Sequence, residues 1–159
     1  MKEIQLSQGQ VAIVDDDDYP EVSKYKWCAM KMRYSYYAGR TIKQDGKQHT
    51  IYLHRELLPP PDGMVVDHIN RDGLDCRRSN MRIATHEENM RNGRLPKNNT
   101  SGYMGVTRSN SGRLPWKAQI SAQGRNRYIG IYATREEAAI AYDDAAKRYH
   151  GEFASTNFS

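Results

Sequence analysis

Met64-Val-Val-Asp-His-Ile-Asn70, followed by Arg78-Ser-Asn-Met-Arg-Ile-Ala84 and Thr85-His-Glu-Glu-Asn89, is the stretch on which the reading of this chain turns. Met64 to Ile69 is apolar at first and polar at its end, as a strand running out of a core would be. Asn70 to Ser79 is rich in Gly, Asp and Arg and reads as a loop. Met81 to Ala84 is a short second strand. Thr85 with Glu88 makes a T-x-x-E capping box, so a helix starts there and carries Asn89 in its first turns. The order is strand, loop, strand, helix.

Upstream, residues 1–60 read as β-rich. Gln10 to Val14 is a strand candidate. Asp15 to Asp18 are four consecutive acids, expected to be a solvated turn before a helical turn over Tyr19 to Tyr25, where the helix dipole favours negative charge. Ser35 to Lys43 and Gln48 to Leu53 form a hairpin about Asp45-Gly46. His54 to Leu58 is a short helix stopped by Pro59-Pro60-Pro61; His54 reads as structural or as a phosphate contact.

Downstream, Gly93 to Thr100 is polar and contains Pro96, so it reads as a linker. Met104 to Arg108, Trp116 to Ser121 and Tyr128 to Tyr132 are three strand candidates. Thr134 with Glu137 is a second capping box, opening a helix that Gly151 terminates. Ala138, Ala141, Tyr142, Ala145 and Tyr149 recur at helical spacing on one face. Alternation in the middle strand turns Trp116, Ala118 and Ile120 toward the helix. Lys117, Gln119 and Ser121 then line the outer face, together with Asn126 and Tyr128. Arg108, Arg113, Arg125 and Arg127 are candidate phosphate contacts, which would position a duplex without reading its sequence. Simple solvation of each arginine is the competing reading.

The chain has 159 residues, room for one ordinary domain or two small ones. Its net charge of +5 favours a polyanionic partner. The excess is uneven: from Pro96 onward there are nine Lys/Arg against five Asp/Glu, leaving 15 against 14 in residues 1–95. Cys28 and Cys76 are the only cysteines, too few for a four-cysteine zinc site. A reducing cytoplasm is the expected location. Met1 to Gln10 holds no apolar core of signal-peptide length, and no apolar run is long enough to span a bilayer.

Phosphodiester hydrolysis needs an activated water and stabilisation of the departing oxygen. An imidazole of near-neutral pKa can do the first, and a divalent cation on hard oxygen ligands the second. Asp67 and His68 are adjacent, so their side chains diverge, which suits one ligand and one base. Asn80 can tie the intervening loop by hydrogen bonds to backbone.

Val66-Asp-His-Ile-Asn70, Arg78-Ser-Asn-Met-Arg82 and Thr85-His-Glu-Glu-Asn89 resemble the HNH endonuclease family, in the phage and intron homing branch whose last His is replaced by Asn. Tyr52-Leu-His-Arg55 resembles its lead-in segment. The resemblance covers residues 1–92 and implies a β-rich lead-in over 1–60, then a ββα-metal motif over 62–92. By resemblance His68 is the general base and Asn80 orients the loop. Asp67 and Asn89 hold one divalent ion, Mg²⁺ or Mn²⁺. His86 competes for the metal, but Asn89 alone falls at the family's spacing. Arg71 or Arg82 could add positive charge at the scissile phosphate.

Residues 101–158 resemble the APETALA2-type domain of plant ethylene-response factors. The resemblance rests on Ser101-Gly-Tyr-Met-Gly-Val106, Trp116-Lys-Ala-Gln-Ile120, Tyr128-Ile-Gly130, Glu136-Glu-Ala-Ala139, Ala141-Tyr-Asp143, Ala145-Ala146 and Asn157-Phe158. It implies a three-stranded antiparallel sheet set in the DNA major groove and backed by one helix. Base-reading arginines of the plant pattern are replaced here by Met104, Thr107 and Ser121, and a tryptophan by Tyr128, so the plant target sequence does not carry over. The expectation is an α+β chain of two modules, a metal-dependent endonuclease acting on double-stranded DNA. The rivals are a non-catalytic DNA-binding regulator that keeps the nuclease fold, and a nuclease for single-stranded or structured nucleic acid. Monomer and homodimer both remain open.

Overall fold

The computed structural model describes every residue except 94, 97, 111, 113 and 159. Arg113, one of the expected phosphate contacts, lies outside the described residues. The chain is mixed α+β, with several small antiparallel sheets and few helices. It divides into two compact units, Met1–Asn89 and Met90–Ser159. No helix is long and apolar enough to cross a membrane.

In the first unit, β1 (Lys2–Gln5) pairs with β2 (Val11–Val14). The short helix α1 (Tyr19–Val22) follows, and then a three-stranded meander of β3 (Cys28–Lys31), β4 (Tyr36–Gln44) and β5 (Lys47–Tyr52). Asp45 and Gly46 close the β4–β5 hairpin with φ of 52° and 76°, the left-handed pair that a two-residue turn demands. Helix α2 (Leu53–Leu57) leads to the second hairpin, β6 (Met64–His68) against β7 (Met81–Thr85), and then to α3 (His86–Arg91). Thr85 and Glu88 form the expected cap: Thr85 N–H donates to Glu88 Oε2 at 2.8 Å and Glu88 N–H donates to Thr85 Oγ1 at 3.2 Å. One core joins these pieces, with Val14, Trp27, Ala38, Leu53, Val66, Leu74 and Met81 among its buried members. Val66 and Met81 thereby anchor the second hairpin to the β-rich lead-in.

In the second unit, β8 (Val106–Arg108), β9 (Trp116–Ala122) and β10 (Arg125–Tyr132) form an antiparallel sheet with β9 central. Helix α4 (Arg135–His150) packs on it. Both halves of its Thr134–Glu137 capping box are made, and Gly151 ends it at φ 56°. The buried face is Ala138, Ala139, Asp143 and Ala146, with Tyr149 42% exposed, so the helix is rotated from the alanine–tyrosine face expected from spacing. Asp143 explains the rotation. Its carboxylate accepts from Asn157 N–H at 2.8 Å, Asn157 Nδ2 at 3.0 Å and Phe158 N–H at 2.9 Å, which pins residues 157–158 beside the helix. Gly105, at φ 69°, sits under Tyr142, whose ring occupies the space a Cβ would need.

Candidate active site and nucleic-acid face

The β6–β7 register sets Asp67 opposite Arg82 and His68 opposite Met81. Directly opposed residues of an antiparallel pair share a face, so Asp67 and Arg82 meet. Arg82 Nε and Nη2 donate to Asp67 Oδ2 at 2.9 and 2.8 Å. Asp67 and His68 are 3% and 5% exposed. Arg82, expected at a scissile phosphate, is thus the close partner of the carboxylate expected to hold metal.

The loop between the strands is tied from within. Asn80, 7% exposed, accepts from Asn70 N–H at 3.0 Å through Oδ1. Its Nδ2 donates to Asn70 Oδ1 at 3.0 Å and to the Asp75 carbonyl at 2.8 Å. Asp75 accepts from Asn70 Nδ2 at 2.9 Å and from Arg77 at 2.7 and 2.6 Å, and the Arg77 hydrogen bonds hold its carboxyl below the ordinary range. Arg71 takes a left-handed φ of 65° and closes a tight turn on the His68 carbonyl at 2.8 Å.

The same loop is also gripped from outside. Ile13 on β2 bridges to it like a strand, with its N–H on Leu74 O at 2.9 Å and its carbonyl receiving Cys76 N–H at 2.8 Å. Gly73 N–H donates to Ser35 Oγ at 3.1 Å, and a Cβ at Gly73 would strike the Tyr36 carbonyl and the Tyr37 ring. Asp15 Oδ2 accepts Arg78 N–H at 2.8 Å, and Asp18 takes the Arg78 guanidinium at 3.0 and 2.7 Å. Two of the four consecutive acids are therefore anchors for the loop rather than parts of a solvated turn. Cys76 is a core residue, its thiol pushed up to about 12 by burial.

Behind His68 stands an aromatic group that spacing alone does not reveal. The Tyr37 ring is 5.7 Å from the His68 ring and the His54 ring 5.2 Å, both edge to face. Tyr37 and Tyr52 flank His54 at 5.3 and 5.6 Å. Burial lowers the His68 pKa, opposed by Asp67, Asp72 and Asp75. Burial, then the neighbouring His68 and Arg55, pushes His54 down to about 3. A base must be unprotonated before it acts, and burial favours that form of His68.

Asn89 and His86 lie exposed on α3. Among the described residues no three His, Cys, Asp or Glu side chains converge into a metal cage. A carboxylate from Asp67 and an amide oxygen from Asn89 would together be a hard donor set. It fits Mg²⁺ or Mn²⁺, which bind through one or two carboxylates plus water and substrate phosphate.

In the second unit, the register puts Tyr128 opposite Gln119 and Asn126 opposite Ser121, on the face away from α4. Lys117 shares that face, opposite Thr107 and Ile131. Tyr128 is 65% exposed. Arg127 falls opposite buried Ile120 and turns to the helix side, donating to Gln123 at 2.6 Å with its guanidinium 5.2 Å over Tyr149. Arg108, opposite Trp116, stacks 4.5 Å over that ring. Arg125 shares the register of Arg127 at the exposed end of β10. These three arginines therefore share the helix side of the sheet, and Lys117 is the cation on its outer face among the described strand residues.

Known proteins match both parts. A family profile described as HNH endonuclease matches residues 59–91, the whole second hairpin and α3. The chain is 32% identical over 152 residues to an uncharacterized HNH endonuclease of Acanthamoeba polyphaga mimivirus, spanning 94% of this chain and 76% of that protein. It is 33% identical over 96 residues to Protein 3.8 of Escherichia phage T7, covering 60% of this chain and 78% of that one. It is 45% identical over 76 residues to an ethylene-responsive transcription factor of Arabidopsis thaliana, covering 46% of this chain but 29% of the plant protein.

Proposed function

Because this chain belongs to the HNH endonuclease family, we propose that it is a metal-dependent DNA endonuclease of mobile-element type, with a catalytic module in its first unit and a duplex-docking module in its second. One observation carries the reading. Buried Asp67 and His68 end a single strand, and Asn80 binds the loop between that strand and its partner. In this reading β6, β7 and α3 are the ββα-metal motif.

His68 takes a proton from water at its imidazole, and the hydroxide formed attacks the phosphorus. Asp67 and Asn89 would hold the divalent ion, which would supply Lewis-acid stabilisation of the departing oxygen. Asn80 acts on the backbone, keeping the 69–75 loop closed beneath the base. Arg71 offers its charge to the backbone phosphate. Lys117, Gln119, Ser121, Asn126 and Tyr128 face the major groove of double-stranded DNA, and Arg108 and Arg125, at the ends of the two edge strands, contact phosphates.

Supercoiled-plasmid cleavage with Mg²⁺ or Mn²⁺ tests this. Open circles should form, stop with EDTA, and fall at least 100-fold in rate for His68→Ala, the lower bound for loss of a general base. With one site per chain a monomer nicks; linear product without a nicked intermediate would mean that two copies cut together. The Asp67–Arg82 ion pair favours one second reading, a DNA-binding regulator in which the carboxylate stays closed to metal. That reading holds if the protein binds duplex tightly, cleaves neither the plasmid nor the DNA it binds, and takes up no Mn²⁺.

A further inference from the structure

His54 has no place in the mechanism above, yet the fold delivers it to the base. It enters from the start of α2, Tyr37 from β4, Tyr52 from the end of β5, and His68 from β6. The His54 ring is 6% exposed and meets His68 edge to face at 5.2 Å and 77°. Its Nδ1 is buried and has no hydrogen-bond partner among the described residues.

That nitrogen is the informative atom. A buried polar atom left unpaired costs about 1–3 kcal/mol. If position 54 only needed an aromatic filler, phenylalanine would give the same ring without that cost, as Tyr37 and Tyr52 already give bulk on either side. Buried polar atoms kept unpaired in this way call for a reason, and a catalytic neighbourhood is one. We propose that His54 is a positioning residue for His68: its buried Nδ1, rather than the bulk of its ring, is what sets the orientation of the catalytic imidazole. The proposal rests on His68 acting as the base. Burial holds His54 unprotonated at neutral pH, so it adds no second positive charge beside an imidazole that must accept one.

Two substitutions separate nitrogen from bulk. His54→Phe keeps the ring and removes the nitrogen. His54→Asn loses the ring and keeps an amide near the Nδ1 position. Filling would rank Phe above Asn in activity; the positioning role ranks Asn above Phe. The expected result is that His54→Phe folds with an unchanged or raised Tm. Its kcat on plasmid should fall roughly 10- to 100-fold, the size of effect seen for residues that orient a site from behind, with KM unmoved. His54→Asn should recover part of that kcat despite a lower Tm. In protein labelled with ¹⁵N-histidine, the His68 ring resonances should move more in the Phe variant than in the Asn variant. Wild-type cleavage by His54→Phe, or His68 resonances unmoved by it, overturns the proposal. If the wild type itself cleaves nothing, the nuclease reading fails, and the resonance order still decides whether His54 governs the His68 ring.

Discussion

Asp67 holds the Arg82 guanidinium at 2.8 Å with the same buried carboxylate that is proposed to take a divalent ion. The two compete, so removing the guanidinium should favour the ion. Arg82→Gln is expected to bind Mn²⁺ about tenfold more tightly than the wild type without DNA, read by the electron paramagnetic resonance of free Mn²⁺. The same variant should melt several degrees lower in EDTA, because removing one partner of a buried ion pair costs about 3–5 kcal/mol. Saturating Mn²⁺ should restore the melting point through binding to the folded state. Asp67→Asn should bind Mn²⁺ poorly whatever stands at position 82; equal affinity in wild type and Arg82→Gln would rule the competition out. At this scale the sequence was legible for Asn80, whose amide ties backbone as its place before the second strand suggested. It was not legible for Arg82, whose partner depends on a register set across the 69–80 loop. Nor was it legible for Tyr37 and His54, which reach His68 only through the meander.

The loop from Ile69 to Asn80 behaves as a single structural element because its polar atoms are satisfied by one another. Asn80→Ala removes an acceptor and two donors at once and strands Asn70 N–H and the Asp75 carbonyl. A loss of about 2–4 kcal/mol follows from the cost of unpaired buried groups, measurable by urea denaturation. Asn80→Asp should be no milder: the acceptor survives, but a carboxylate oxygen then faces Asn70 Oδ1 and the Asp75 carbonyl. A near-neutral Asn80→Asp would show that the Nδ2 donations contribute little. The second hairpin, α3 and the β4–β5 turn were legible because caps and turn chemistry mark their ends. β1 and β3 were not. Lys2–Gln5 and Cys28–Lys31 are short and carry a single β-branched residue between them, Ile4, so neither announces a strand until the neighbouring strand supplies hydrogen bonds.

Across the whole molecule the net positive charge lies in the second unit, yet the sheet register divides its cations between two faces. Lys117 stands on the outer face, whereas Arg127 stacks on Tyr149 behind it. Each phosphate contact releases condensed counterions, so duplex affinity should fall linearly with salt on logarithmic axes. Lys117→Ala should reduce that slope by about one, and Arg127→Ala should leave it unchanged. The reverse result would turn the opposite face of the sheet toward DNA. The alternation in β9 was readable directly from Trp116 to Ser121; the direction of the β10 arginines was not, because it depends on which β9 residue each one faces. A last consequence concerns the order of assembly. The candidate catalytic loop is completed by Ile13, Asp15 and Asp18, with Arg78 reaching back 63 and 60 residues to the two acids. Closing so long a stretch costs chain entropy that short turns escape. The β6–β7 ladder can therefore zip locally while its loop waits for the amino-terminal strands. A lesion in β2 would then leave a chain rich in secondary structure whose candidate site never sets.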